Sequence, residues 1–161
     1  MDFSEVDAQL PFLPRFGTHF IIDPAYDQVV WFGRGPHENY QDRKTSALVG
    51  QYQAKVEDLY FPYARPQENG YRTDIRWVTF QNTEGKGIKI TGPDLFCFSA
   101  HHQYPSDFDP GLQKAQRHTT DIVKRDLISL QIDKVQMGVG GANSWGALPH
   151  QAYRIPARDM R

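Results

Sequence analysis

The stretch Trp31-Phe-Gly-Arg-Gly-Pro-His-Glu-Asn-Tyr-Gln-Asp-Arg43 concentrates more hydrogen-bonding and titratable groups than any other part of this chain. Arg34, His37, Glu38, Asn39, Tyr40, Asp42 and Arg43 crowd behind a short apolar run, Val29 to Phe32. Gly33 and Gly35 permit backbone angles that side-chained residues resist, and Pro36 fixes one φ and removes a donor. The pattern predicts a strand that runs into a shaped, rigid loop, and such loops are where sites tend to sit. The same residues could instead pin a loop to its sheet as a charged brace. Chemistry alone leaves both readings open.

A second candidate is Met137-Gly-Val-Gly-Gly-Ala-Asn-Ser-Trp145. A phosphate-binding loop needs glycines opening a helix, with a lysine and a hydroxyl in register. Here Pro149 soon ends the stretch and no helix begins, so nucleotide binding is rejected. What the loop can do is present Trp145, either as a core plug or as an exposed platform. Indole offers a flat apolar face and an N–H donor, which suits the C–H face and hydroxyl rim of a sugar. Position alone favours the plug.

The remaining chemistry is sparse. His19, His37, His101, His102, His118 and His150 lack the short spacings of zinc ligands. His101 and His102 are adjacent, so on a strand their rings point to opposite faces and cannot share a metal. One inward histidine bonded to a backbone carbonyl is the expectation, and no metal site is assigned. Carboxylates are plentiful without a marked catalytic pair, and Gly-x-Ser-x-Gly is absent. Cys97, the single cysteine, sits among Leu95, Phe96 and Phe98 and reads as an inert packed thiol.

The elements that would position these groups are strands. The chain has 161 residues, 39 % hydrophobic and 13 % aromatic, which fits one domain with a core and suits β-structure. A net charge of −1 provides no field to recruit nucleic acid or an acidic membrane. No stretch is apolar enough to span a bilayer as a helix, and no signal peptide follows Met1. The opening, Asp2 to Leu10, is acidic and unpatterned, as though taken from the middle of a longer chain. Alternation predicts strands at Phe16–Ile22, Val29–Phe32, Tyr71–Gln81, Ile88–Ile90, Phe96–His101 and Leu127–Val135, with a last extended piece at Ala152–Ile155. The 71–81 strand carries apolar residues on both faces, so it is expected to be central and covered on both sides. Asn69-Gly70 and Thr83–Gly87 read as hairpin turns. The helical candidate is Gly111–Arg117. The class is all-β, a sandwich by default, with at most one short helix.

Several stretches together resemble the C-terminal part of large bacterial lactose-cleaving β-galactosidases. They are Leu13-Pro-Arg-Phe-Gly17, Trp31 to Arg43, Arg65-Pro-Gln-Glu-Asn-Gly-Tyr-Arg-Thr-Asp-Ile-Arg-Trp77, Phe98-Ser-Ala-His101 and Gln136-Met-Gly-Val-Gly-Gly-Ala-Asn-Ser-Trp-Gly146. Their order and spacing match over nearly the whole chain. The resemblance implies an antiparallel β-sandwich of the galactose mutarotase-like supersandwich type, partial here, forming one domain or domain fragment over residues 1–161. It implies that the two catalytic glutamates lie in a separate TIM-barrel domain, that this chain holds no catalytic residue, and that alone it is inactive. It implies that Trp145 forms part of the sugar subsite, reversing the reading from position. Arg34, Glu38, Asn39, Tyr40, Asp42, Arg43, His101 and Asn143 become candidates for bracing that site, with Arg34, Glu38, Asp42 and Arg43 as its ion-pair network.

The implied partners are a β-galactoside sugar and the barrel, with a homo-oligomer open and neither nucleic acid nor membrane expected. No cofactor belongs to this part, whereas Mg or Na is compatible with the barrel of the full enzyme. The resemblance implies a bacterial source, with cytoplasm and periplasm both open. Two departures stand out. The family usually has an acidic residue after Gly-Gly, where this chain has Ala142 followed by Asn143, and Ser106–Leu112 looks looser than the usual short acidic helix. The rival is a stand-alone carbohydrate-binding or aldose-mutarotase-like module, with His101 and Glu38 as acid and base across an open cleft. A purely structural domain with Trp145 buried is the third reading.

Overall fold

A computed structural model describes residues 11–109, 117–141, 143 and 145–157. Six strands form: β1 (Arg15–Ile22), β2 (Gln28–Gly35), β3 (Leu48–Lys55), β4 (Arg72–Gln81), β5 (Gly87–His101) and β6 (Ile128–Gln136). They build one antiparallel sheet in the order β1-β6-β5-β4-β2-β3. The expected all-β antiparallel class is what the chain adopts, and its apolar sheet face is consistent with a sandwich. Among the described residues no helical piece exceeds one turn, and α1 (Pro105–Phe108) is the only α-helical one. The Gly111–Arg117 candidate lies outside the described residues except for Arg117, as does the opening Asp2–Leu10.

One face of the sheet is the hydrophobic core. Val29 and Trp31 of β2, Ile75, Val78 and Phe80 of β4, Phe96, Phe98 and Ala100 of β5, and Ile128 and Leu130 of β6 are buried together. Phe98 meets Trp31 and Phe80 edge-on, with ring centroids 5.9 and 6.1 Å apart. These tilted contacts suit the quadrupoles of aromatic rings.

The other face is different in kind. Ser129, Gln131 and Asp133, on the opposite side of β6 from Ile128 and Leu130, are buried rather than solvated. Tyr40, Tyr71, Cys97 and Val139 cover that side as a small second cluster. Alternation with Ile128 and Leu130 alone would turn these β6 positions toward water. Tyr71 and Arg15 close over Asp133, while Ser129 and Gln131 line a cleft walled by Glu68, Asn69 and the 103–109 segment.

Three local expectations change. The Ile88–Ile90 and Phe96–His101 segments are one long strand, β5, whose first part pairs with β4 and whose last part lies between β4 and β6. Asn69-Gly70 is not a hairpin turn, because an irregular segment and not a strand precedes it. In β4 the register shifts around Ile75, and Asp74 adopts a left-handed φ of 55°. Ile75 therefore shares the core face with Val78 and Phe80, whereas unbroken alternation would place it with Trp77 and Thr79. The strand is central as expected, but Trp77 stays half-buried, so its second face is incompletely covered. The Ala152–Ile155 piece is a 3-10 turn, Gln151–Tyr153, followed by a bridge from Ile155 to Leu13.

Candidate functional site

The glycine loop leaves the end of β6 under tight control. Met137 N–H donates to the Pro14 carbonyl at 2.9 Å and Gly138 N–H to that of Tyr153 at 2.8 Å. The next two amides, Val139 and Gly140, donate to Oδ1 and Oδ2 of Asp42 at 3.1 and 2.8 Å. A Cβ at Gly138 would lie 2.5 Å from the Asp42 carboxylate, so glycine is required for that approach. Asn143 Oδ1 then accepts the N–H of Trp145 at 2.8 Å and, more weakly, that of Ala147 at 3.4 Å. This is an Asx turn, in which the side chain replaces a backbone turn bond. Ala142 itself lies outside the described residues, and the adjacent Asn143 supplies the local bracing by its amide oxygen. Trp145 is 93 % exposed. The core-plug reading drawn from position is thus overturned: the loop holds the indole away from the sheet.

The Trp31–Arg43 stretch forms the clamp for this loop. The Arg34 guanidinium bonds Asp74 at 2.5 Å and the Ala47 carbonyl at 2.8 Å, while Lys44 bonds the same carboxylate at 3.0 Å. Burial would raise the Asp74 carboxyl, but Arg34 and Lys44 outweigh it and hold it below the usual carboxylate range. Gly33 makes room for the bulged β4 opposite, since a Cβ there would come 2.9 Å from the Ile75 Cα. Asn39 is buried. Its Oδ1 accepts the Thr73 N–H and hydroxyl at 3.0 and 2.6 Å, and its amide donates to the His37 carbonyl at 3.0 Å. Tyr40 stacks on Tyr71 at 5.6 Å between centroids, and burial pushes both phenols far up. Glu38 accepts the Tyr63 hydroxyl on Oε1 and the Gly70 N–H on Oε2 at 2.7 Å. Arg43 is exposed and lies 5.7 Å from the Tyr40 ring centroid.

The expected ion pairs among Arg34, Glu38, Asp42 and Arg43 are therefore not made to one another. Arg34, Glu38 and Asp42 each bond a different part of the chain, and the stretch acts as a many-point staple.

Sequence reasoning missed two buried charged centres. Asp133 is fully buried and takes the Tyr71 hydroxyl at 3.0 Å, the Gln131 amide at 2.6 Å and Arg15 at 3.4 Å. Burial raises its pKa despite those partners. Arg15 also bonds Glu68 at 2.7 Å, and burial raises that carboxyl as well. The second centre is Arg72, 4 % exposed, whose guanidinium donates to the carbonyls of Pro36, Gly70 and Leu59 at 2.9, 2.7 and 3.3 Å. Burial lowers its pKa to about 10. A strand-to-strand carboxylate and a carbonyl-bound arginine have no local sequence signature, because their partners lie far away in the chain.

Two clefts meet at the Arg15–Glu68 pair. The larger, about 500 Å³, runs along Gly138–Gly141 and is flanked by Arg43 and Tyr63. The smaller, about 160 Å³, lies over Ser99 and Gln131 beside His101, Gln103 and Phe108. His101 Nε2 lies 3.0 Å from the Asn69 carbonyl, to which it must donate, and burial drives the ring's pKa down to about 4. His102 Nδ1 likewise donates to the Leu127 carbonyl at 2.8 Å. Both rings bond a backbone carbonyl as expected, but His101 is satisfied on Nε2 alone, since its buried Nδ1 has no partner among the described residues. Glu38 lines neither cleft, so the acid–base pair required by the mutarotase-like rival does not converge on an open site. Among the described residues no cluster of three or more His, Cys, Asp or Glu could hold a metal. Cys97 is buried with its thiol pushed up to about 11, as suits a packed thiol.

Fold and site together define an antiparallel β domain whose polar face secures a loop bearing one projecting tryptophan. The chain belongs to the beta galactosidase small chain family, whose pattern matches residues 2–161. It is 37 % identical over 148 residues to a beta-galactosidase of Priestia megaterium, covering 92 % of this chain and 14 % of that protein. It is 39 % identical to a Vibrio cholerae beta-galactosidase and 34 % identical to one of Pseudoalteromonas haloplanktis, covering 92 and 93 % of this chain and 13 % of each relative. The chain thus spans about one-seventh of the length of the relatives it matches.

Proposed function

We propose that this chain is the C-terminal domain of a β-galactosidase, a single unit over residues 1–161 that completes the sugar subsite with Trp145. The full enzyme would hydrolyse terminal β-galactosides with retention, using carboxylates of a separate barrel domain. Sugar and barrel are then the partners of this chain, and the catalytic residues lie outside it. The observation that carries this reading is the pairing of an almost fully exposed indole with a loop fixed at its base by Asp42. An exposed tryptophan costs solubility and stabilises nothing in its own domain, so its use must lie in something that docks on it. A galactose ring offers a C–H face of matching size, and stacking of this kind contributes about 0.5–1.5 kcal/mol.

The test is Trp145→Ala in the full-length enzyme. Because the indole touches little of its own domain, folding should be unaffected. The expected outcome is a KM for galactosides raised about 3- to 10-fold, the range that such stacking energies convert to. Unchanged kinetics would overturn the platform reading.

A further inference from the structure

Phe61 is an exposed aromatic ring that the chain holds still. It is 51 % exposed, second only to Trp145 among the aromatic rings of the described residues. Singly exposed apolar side chains are ordinary, but this one is fixed from several sides. Pro62 confines the Phe61 backbone to extended angles. The Phe61 N–H donates to Asn69 Oδ1 at 3.1 Å, and its carbonyl accepts the Tyr63 N–H at 2.9 Å. Tyr63 is tied in turn, its hydroxyl donating to Glu38 and its carbonyl accepting the Thr119 hydroxyl. The Phe61 ring leans on that of Tyr63, 4.5 Å between centroids at 49°, and touches no other ring among the described residues. Its remaining surface is open to solvent and preset in place. Phe32 differs, because Arg76 lies 5.5 Å over its ring.

The neighbourhood narrows what could use that surface. Tyr63 lines the cleft of about 500 Å³ along Gly138–Gly141, so Phe61 stands one ring back from its edge. Trp145 follows Gly141 by four residues, a reach of at most about 14 Å. Both exposed rings therefore border one cleft, Trp145 from the loop after β6 and Phe61 from the segment before β4. Its volume is in the class that takes a small ligand of more than one ring. Arg43 and Gln67 also line it, and their N–H donors suit sugar hydroxyls. A galactoside has a constant half, the galactose ring, and a variable half, the leaving group. Two separate aromatic surfaces beside one cleft can hold one half each.

We propose that Phe61 is a specificity-determining residue for the leaving group. Its open surface packs against the aglycone of a β-galactoside whose galactose ring rests on Trp145. This rests on the reading of the chain as the domain that completes the sugar subsite. Aromatic aglycones are the preferred class, since ring-on-ring contact adds to plain burial of area.

The experiment uses the full-length enzyme and the inhibition constants of phenyl and methyl thio-β-D-galactoside, which resist cleavage, so that binding alone is read. Free galactose, which has no aglycone, is the control. In Phe61→Ala, binding of the phenyl compound should weaken about 3-fold or more, while the methyl compound and galactose bind as before. Phe61→Tyr, which keeps the ring, should retain the phenyl preference, whereas Phe61→Leu, which keeps only apolar bulk, should lose it. An unchanged phenyl-to-methyl ratio in Phe61→Ala would overturn the proposal, and so would equal weakening of all three ligands, which marks a disturbed fold. Trp145→Ala, measured alongside, keeps the two readings apart. If it weakens all three ligands while Phe61→Ala is silent, the aglycone contact falls and the platform stands. If it is silent while Phe61→Ala is selective, the platform falls and the aglycone contact stands.

Discussion

The Asp42 carboxylate accepts the Gly140 N–H at 2.8 Å, joining the loop after β2 to the loop after β6 across 98 positions of sequence. Its other oxygen takes the Val139 N–H, so one side chain fixes the root of the segment that carries Trp145. Hydrogen bonds to a charged acceptor contribute about 1.5–3 kcal/mol each, less where water competes. Asp42→Asn turns one acceptor into a donor facing a backbone N–H. The expected outcome is a loss of about 1–2 kcal/mol in stability by urea denaturation, with a raised galactoside KM in the full enzyme. Gly138→Ala drives a Cβ against the same carboxylate and should behave alike. Combined, the two changes should cost less than their sum, because each breaks the same anchor. Full additivity would argue that Asp42 and the loop are independent.

Gly17 and Asp133 make a second such contact. A Cβ on Gly17 would overlap the Asp133 carboxylate and the Ile132 carbonyl, at the point where the β1–β6 register slips. Gly17→Ala is expected to destabilise the chain by about 3 kcal/mol, the upper range of overpacking. Asp133→Ala should cost as much or more, about 3–5 kcal/mol, since it strands the Tyr71 hydroxyl, the Gln131 amide and Arg15. Thermal or urea midpoints check both. A near-neutral Asp133→Ala would mean that water enters and replaces the carboxylate.

How far the sequence carries these conclusions differs from element to element. The strands read at 16–22, 71–81 and 127–135 show in their alternation, and Thr83–Gly87 shows in its turn residues, because both signals are local. The buried polar face did not show. Ser129, Gln131 and Asp133 have the pattern of a solvated edge, and only segments distant in sequence, around Arg15, Glu68, Tyr71 and 103–109, make them interior. The bulge at Asp74 hid for a similar reason: one extra residue inverts the faces of β4, and nothing in Thr73-Asp-Ile-Arg76 announces it. The clamp stretch was conspicuous, yet its role was ambiguous, since Glu38, Asp42 and Arg34 look alike whether they meet a ligand or a backbone. Trp145 was legible as a loop residue, but position alone assigned it to the core.

Arg72 supplies a test of the clamp from the opposite side. Its guanidinium reaches carbonyls of three separate segments, after β2, before β4 and after β3, and it also lies 5.7 Å from the Trp31 ring centroid. Arg72→Lys keeps a charge but cannot span three acceptors with one ammonium. The expected loss is about 2–3 kcal/mol, from two unmade hydrogen bonds to a charged donor. Arg72→Met, which removes the buried charge, should be no worse than lysine. If lysine were tolerated without loss, the three-carbonyl bridge would not be what secures Pro36.

His101 makes stability depend on pH in a direction its burial dictates. Its folded pKa of about 4 lies below the ordinary 6.5, because burial disfavours the imidazolium. Between those values the unfolded chain binds a proton that the folded chain refuses, so stability is full above pH 6.5 and falls as pH drops toward 4. The total is about 3 kcal/mol at the conversion of 1.36 kcal/mol per pH unit. Glu68 and Asp133 act in the opposite sense. Burial raises their folded pKa values, so they protonate more readily in the folded chain and offset part of the loss at lower pH. The two contributions separate in His101→Gln, which keeps a donor for the Asn69 carbonyl but cannot titrate. The expected outcome is a wild-type urea midpoint that declines from pH 7 to 5, against a variant midpoint that is flat or rises as the carboxyls protonate. Parallel curves for the two proteins would mean that His101 titrates normally and that the wall around the smaller cleft is open to water.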